Sequence, residues 1–199
     1  EYPAHLSYST KISISKELHA IARQKILLSN ALGYSTSSSN DYGVSDMGFK
    51  KPSFSLPNGY VVLVQNASWK TKQWSIANWR LLVKHFDDCS IEMILPSGNE
   101  EEYQRAEQIS SFSNKAHALK PLSLNETAHI MKKAKFSVCS DTGLAHLSAV
   151  VGTPSLTLYG PTDTKLIGTE GKNQLHLVGS NNNIDSISIE DVISKLPSI

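Results

Sequence analysis

Short apolar runs alternate with amphipathic stretches from Asn58 onward, and this alternation limits the available folds more than any other feature of the sequence. The run Tyr60–Gln65 is apolar almost throughout, as in a strand that is buried on both faces. Ser75–Phe86, which follows it, carries apolar residues at helical spacing. Strands that alternate with helices of about three turns are typical of right-handed βαβ units. The sequence therefore predicts a doubly wound α/β domain, a parallel sheet flanked by helices.

The predicted elements fall into two regions of different character. Residues 1–57 hold one helix over Ser15–Leu32 and then Ser35–Pro57, a stretch rich in Ser, Asn, Gly and Pro that we interpret as a surface connection. Residues 58–199 hold the predicted sheet domain. Its strands are expected at Tyr60–Gln65, Glu92–Pro96, Ala116–Leu119, Phe136–Ser140, Ser155–Tyr159 and Gln174–Val178. Its helices are expected at Ser75–Phe86, Glu100–Ser111, Ser123–Lys133, Thr142–Val150 and Ser188–Leu196.

Composition excludes several classes of protein. Lys and Arg total 19 against 18 Asp and Glu, a net charge of +1, so no single-sign field favours nucleic acid. No apolar run reaches the roughly 20 residues that a membrane span needs. Cys89 and Cys139 lie far apart without CxxC spacing, so we expect neither a disulfide nor a metal site, and two buried thiols in a reducing cytoplasm. The start, Glu1-Tyr2-Pro3, resembles no secretion leader and suggests a piece of a longer protein.

The densest group of candidate functional residues is Asp141-Thr142-Gly143-Leu144-Ala145-His146, which runs from the end of a predicted strand into a helix. Ligands of doubly wound sheets bind at the carboxyl ends of the strands, and helix N-termini attract phosphate groups. Thr142 and Gly143 therefore form a plausible cradle for a diphosphate, with His146 one turn further on. Asp141 is predicted both to cap the helix, by accepting from the N–H of residue 143 or 144, and to contact a ligand.

A purely structural interpretation, in which Asp141 only caps the helix and His146 only packs, is left open by these residues alone. Asp-Thr-Gly is also the signature of aspartic proteases, but a protease needs two such carboxylates and a β-fold, and the chain has one Asp-Thr-Gly in an α/β pattern. Lys70 and Lys72 follow the first strand and bring positive charge to the same edge of the sheet.

Taken together, three sequence motifs resemble those of the lipopolysaccharide heptosyltransferases of Gram-negative bacteria, most closely the heptosyltransferase I type. They are the segment from Val138 to Ala149, Gly152-Thr153-Pro154, and Leu158-Tyr159-Gly160-Pro161-Thr162-Asp163. The resemblance implies a Rossmann-like parallel sheet, similar to the C-terminal domain of a two-domain GT-B glycosyltransferase. Residues 1–57 would be the connecting helix and linker, and residues 58–199 the nucleotide-sugar-binding domain.

The resemblance also implies a function for this half of the enzyme. The domain would bind ADP-heptose, and the enzyme would transfer heptose with inversion to the Kdo residue of lipid A, with no cofactor, no metal and no nucleic acid. The acceptor and the catalytic base would belong to the N-terminal domain, so we expect no catalytic base in this chain and no transfer by it alone. The enzyme would work in the cytoplasm, in peripheral contact with the inner membrane.

Residue by residue, the resemblance assigns Lys72 to the phosphates, Glu102 to the ribose and the backbone at Leu122 to the neighbourhood of adenine. Thr142 and Gly143 would bind the diphosphate, and Asp141 and His146 would lie near the heptose and phosphates. Where the family usually has Thr-Thr, this chain has Ala67-Ser68, so only Ser68 keeps a donor-binding hydroxyl. This departure supports an alternative hypothesis, a non-catalytic nucleotide-binding or interaction module with the same fold.

Overall fold

The computed structural model describes residues 3–36, 41–44 and 47–197, and within them the chain forms two compact units. The smaller unit lies within residues 1–40 and 163–168, and the larger within residues 41–162 and 169–199. The helices are α1 (Ala20–Leu32), α2 (Ile76–Asp88), α3 (Glu100–Ser110), α4 (Leu124–Lys133), α5 (Gly143–Val151), α6 (Thr164–Ile167) and α7 (Ile189–Lys195). The strands are β1 (Val61–Val64), β2 (Met93–Leu95), β3 (Ala116–Ala118), β4 (Phe136–Ser140), β5 (Ser155–Tyr159) and β6 (Gln174–Val178).

In the smaller unit, α1 begins later than the sequence predicts. The helix was expected from Ser15, but it starts at Ala20, because the ring of His19 stands at the N-cap and accepts from the N–H of Ile21. The other ring nitrogen of His19 lies 3.0 Å from the carbonyl oxygen of Gly168. At the far end, Gly33 closes the helix in the left-handed conformation (φ 73°), as the sequence predicts. The short helix α6 was not predicted.

The larger unit contains one sheet of six parallel strands in the order β3-β2-β1-β4-β5-β6. Side chains of α2, α3 and α7 pack against one face of it, and side chains of α4 and α5 pack against the other. The strands β1, β4 and β5 are buried along their whole length. This is the predicted doubly wound α/β arrangement, and all six predicted strands are present with ends that shift by at most one residue.

The predicted surface connection is described only in part. Ser37–Asn40 and Ser45–Asp46 lie outside the described residues. In the rest of 35–57 the structure contains neither helix nor strand.

No helix among the described residues is long and apolar enough to cross a bilayer. One expectation about the cysteines was wrong: Cys139 is buried, and its burial raises the pKa of its thiol to about 12, but Cys89 is exposed where α2 ends.

A capping box fixes the start of α4. The Glu126 carboxylate accepts hydrogen bonds from the N–H of Ser123 (3.2 Å) and from its hydroxyl (2.6 Å), and Lys50 Nζ lies 2.9 Å from it. The bonds from Ser123 and then from Lys50 lower the pKa of Glu126 to about 2. Because this folded-state pKa is below the unfolded value of 4.5, the stabilisation is complete above pH 4.5 and is lost as the pH falls towards 2.

We therefore expect Glu126→Gln to make the melting temperature less dependent on pH between about 4.5 and 2 than it is in the unaltered chain. Thermal denaturation followed by circular dichroism across this range measures the difference. Glu101→Gln, which removes an exposed carboxylate from the first turn of α3, is the matched control. A pH dependence that is the same for the unaltered chain and Glu126→Gln would contradict this account of the cap.

Candidate functional site

The strand order places a candidate binding site between β1 and β4. The chain proceeds outward from β1 through β2 to β3, and then returns to the other side of β1 as β4. At such a reversal the loops that leave the two strands diverge, and the crevice between them is where doubly wound sheets bind ligands. Here the loop after β1 carries Ser68 and Lys72, and the turn after β4 carries Asp141 and Thr142.

A partly buried ion pair joins these two loops. Lys72 Nζ lies 2.8 Å from Oδ2 of Asp141, and the two side chains are 19% and 7% exposed. The hydroxyl of Thr162, from the turn after β5, also donates to the same carboxylate oxygen. The pair therefore ties together the carboxyl ends of three adjacent strands, and it puts an ammonium group at the switch point of the sheet.

The predicted capping role of Asp141 is wrong. Thr142, with extended backbone (φ −151°, ψ 169°), is the N-cap of α5, and no side-chain cap hydrogen bond is found there within the described chain. Asp141 lies one residue earlier, and its carboxylate is turned away to Lys72 and Thr162. The N-terminus of α5 thus has no side-chain cap among the described residues, and its first N–H groups carry the partial positive charge that suits an anion.

Four of the predicted site residues line a single cavity of about 260 Å³ beside the ion pair: Ser68, Glu102, Leu122 and Thr142. Glu102 stands in the first turn of α3, where its carboxylate accepts from the N–H of Gly98 (2.7 Å). Gly98 lies at the end of β2 and Leu122 follows β3, so the cavity extends from the switch point across the carboxyl ends of β2 and β3.

The remaining predicted residues, Lys72, Asp141, Gly143 and His146, are not among those that line this cavity. Gly143 is the first residue of α5, next to Thr142, and His146 lies one turn into the helix, partly buried and engaged with neighbouring groups. Sequence reasoning did not assign a site role to Thr162 or Asn66. Asn66 is 7% exposed and lines the cavity, and Thr162 holds Asp141. Asn66 directly follows a predicted strand and Thr162 stands three positions after another, so the rule about strand ends was the signal that would have found them.

A substitution at Gly143 tests the prediction that Thr142 and Gly143 bind a diphosphate. Outside its two chain neighbours and the adjacent backbone of α5, a β-carbon built on it would meet no described atom within 4 Å, so Gly143→Ala is expected to leave the melting temperature unchanged or slightly raised. The added methyl group would nevertheless occupy the space through which a phosphate approaches the amides. We expect ADP binding, measured by calorimetry, to weaken about tenfold, the effect of roughly 1.4 kcal/mol. Unchanged affinity would show that the diphosphate does not lie against Gly143.

The six-stranded parallel order, with the Lys72 ammonium group and the N-terminus of α5 at its switch point, defines a Rossmann-like α/β protein. The profile of glycosyltransferase family 9 (heptosyltransferase) matches residues 3–196. This chain belongs to that family, as its sequence motifs predict.

Curated relatives and solved structures are consistent with this assignment. Lipopolysaccharide heptosyltransferase 1 of Salmonella typhimurium is 34% identical over 97% of this chain, and that of Escherichia coli K12 is 34% identical over 98%. The structure of E. coli heptosyltransferase WaaC with ADP superposes with a TM-score of 0.86, at 33% identity over 96% of this chain and 60% of the other. WaaC with ADP-2-deoxy-2-fluoro heptose gives a TM-score of 0.82, at 31% identity over 96% of this chain and 59% of the other. This chain spans 61% of the length of the two curated relatives.

Proposed function

We propose that this chain is the donor-binding half of a lipopolysaccharide heptosyltransferase and that it holds ADP-heptose in the crevice between β1 and β4. The observation that carries the proposal is the convergence of Lys72 and the N-terminus of α5 at the switch point, beside a cavity lined by residues that follow β1, β2, β3 and β4. The similarity to WaaC, whose structures contain ADP and an ADP-heptose analogue, supports the same ligand.

In this proposal the nucleotide lies along the cavity. Adenine occupies the end near the backbone of Leu122, and the ribose hydroxyls donate to the carboxylate of Glu102. The diphosphate lies against the N–H groups at Thr142 and Gly143, with Lys72 on its other side. The heptose then projects towards Asp141 and His146, and Ser68 adds a hydroxyl from the loop after β1.

The chemical contribution of this half is electrostatic. When the bond between the heptose and the diphosphate breaks, negative charge builds up on the departing ADP. Once the donor is bound, Lys72 and the amides of α5 already face the diphosphate, so they stabilise this charge without further reorganisation. The loss of one such donor typically lowers a rate by about 100- to 1000-fold. The base that deprotonates the acceptor hydroxyl would come from outside these 199 residues, and so would the site for the Kdo of lipid A.

The ion pair gives this mechanism a specific binding step. Lys72 contacts Asp141, and in this proposal a diphosphate takes the ammonium over from the carboxylate. Asp141 keeps its hydrogen bond from Thr162 and becomes free to accept from hydroxyl groups of the sugar. Charge-assisted bonds of this kind are roughly twice as strong as neutral ones, which would favour the complete nucleotide sugar over ADP.

A cellular location for the complete enzyme follows from the proposed acceptor. The heptose acceptor would be lipid-linked, so the complete enzyme would act at the cytoplasmic face of the inner membrane through peripheral contact. The chain alone would bind the donor without transferring heptose, because the acceptor-binding part is expected elsewhere.

Calorimetric titration with ADP-heptose, ADP and UDP-glucose tests the proposed function. We expect saturable binding of ADP-heptose, weaker binding of ADP, and little binding of UDP-glucose. Binding of ADP with no preference for the heptose would favour the alternative, a nucleotide-binding module that has lost the transferase role, for which Ala67-Ser68 in place of Thr-Thr is the supporting observation. Failure of ADP-heptose and ADP alike to bind would reject both.

A further inference from the structure

One of the three tryptophans is exposed beside the site. Trp74 and Trp79 are completely buried in the core, whereas Trp69 is 66% exposed. Trp69 directly follows Ser68 and precedes the short 3-10 helix Lys70–Lys72. An indole in water leaves a large apolar surface uncovered, and aromatic side chains in such places commonly supply rigid contact area to ligands.

The indole is held next to the ion pair. Lys72 Nζ lies 5.1 Å from the centroid of the Trp69 ring, and the N–H of Lys72 donates to the carbonyl oxygen of Trp69 (2.9 Å). The same ammonium is 2.8 Å from Asp141. Trp69, Lys72 and Asp141 therefore form one contiguous group at the mouth of the crevice, with most of the indole open to solvent.

We propose that Trp69 is a specificity-determining residue that packs its ring against the C–H face of the donor's heptose. This inference rests on the proposed function, because it takes the diphosphate to bind at Lys72. A sugar that is joined to that diphosphate begins one bond beyond the phosphate, which brings it within reach of a ring 5.1 Å from the same ammonium. The C–H groups of a sugar carry small positive charge and are attracted to the negative face of an indole, as the ammonium group is.

The contact explains how sugar and nucleotide can be distinguished here. ADP ends at the β-phosphate and gains nothing from the indole, whereas ADP-heptose covers it. Trp69 thus acts on the sugar, and Lys72 acts on the phosphates. The aromatic contact supplies apolar area at a place where Ala67 offers no hydroxyl for a polar contact with the sugar.

Quenching of tryptophan fluorescence by acrylamide reports on this contact directly, because Trp74 and Trp79 are shielded from the quencher. We expect saturating ADP-heptose to protect the quenchable fluorescence and ADP to protect it much less. Trp69→Ala should weaken ADP-heptose about fivefold and change ADP binding less than twofold, and Trp69→Phe should retain most of the affinity for the sugar.

Phe112→Ala is the matched control, since Phe112 is another exposed aromatic ring with a cation above it, Arg80 at 5.9 Å. It should change neither affinity. If Trp69→Ala binds ADP-heptose as tightly as the unaltered chain, or if it loses ADP and ADP-heptose equally, the inference is overturned while the proposed function stands. If the unaltered chain binds neither ligand, the proposed function and the inference fall together.

Discussion

Replacing Lys72 with Met is expected to weaken the binding of ADP about 10- to 100-fold. Hydrogen bonds to charged groups contribute about 1.5–3 kcal/mol, and tenfold in affinity corresponds to about 1.4 kcal/mol. Two effects act in opposite directions. In the proposed complex Lys72 exchanges Asp141 for phosphate, which reduces its net contribution. Its removal leaves the Asp141 carboxylate uncompensated beside the diphosphate, which adds repulsion. Calorimetry at several salt concentrations should also show a smaller dependence on salt in the variant.

Lys70→Met is the matched control, because Lys70 stands in the same turn with an exposed side chain. It should change ADP affinity less than threefold. The double variant Lys72→Met, Asp141→Asn should bind ADP more tightly than Lys72→Met alone, since it removes the uncompensated carboxylate. Equal losses from Lys70→Met and Lys72→Met would mean that general charge, and not the ammonium at the switch point, attracts the nucleotide.

Trp79→Ala is expected to reduce the free energy of unfolding by about 3–5 kcal/mol, the usual range for removing a buried tryptophan. Trp79 is fully buried on α2, and its ring meets that of Trp74 edge to face at 5.4 Å. Trp74 in turn donates from its indole N–H to the carbonyl of Ile187 (3.0 Å), so the pair joins the loop that carries Lys72 to the core beneath it. Urea denaturation followed by circular dichroism measures the loss.

Leu81→Ala, on the exposed side of the same helix, provides the comparison and should cost less than about 1 kcal/mol. Trp79→Phe should cost much less than Trp79→Ala, because the indole N–H of Trp79 has no hydrogen-bond partner among the described residues, and phenylalanine carries no such donor. A loss of under 1 kcal/mol in Trp79→Ala would show that the two tryptophans do not form the core under the site.

The strands and helices of the sheet domain were predictable from the sequence, because each element satisfies its own local requirements. Apolar runs such as Val61–Val64 are too hydrophobic to lie elsewhere than inside a sheet covered on both faces. Ser123 and Ser188 mark helix starts through capping boxes that involve residues only three positions apart. The start of α1 was not predictable, because it depends on His19, whose ring is fixed by a contact 149 residues away at Gly168.

The site shows the same division between local and long-range information. Asp141 precedes a helix, and sequence alone favours such a residue as a cap. Its actual partners are Lys72 and Thr162, which lie 69 and 21 positions away and meet it only because β1, β4 and β5 are neighbours in the sheet. The cavity beside it likewise combines the ends of four strands. The family motifs predicted which residues belong to the site, and the strand order explains why Lys72, Asp141 and Thr162 meet.

The most direct test of the account is a crystal structure of this chain soaked with ADP-heptose. We expect diphosphate oxygens within about 3.2 Å of Lys72 Nζ and of the N–H of Gly143, the ordinary hydrogen-bond range. The adenine should lie towards Leu122, and the Lys72–Asp141 contact should be broken. A nucleotide bound elsewhere on the sheet would contradict the claim that this switch point is the donor site. A diphosphate in the crevice with the Lys72–Asp141 ion pair intact would contradict only the proposed transfer of Lys72 from Asp141 to phosphate.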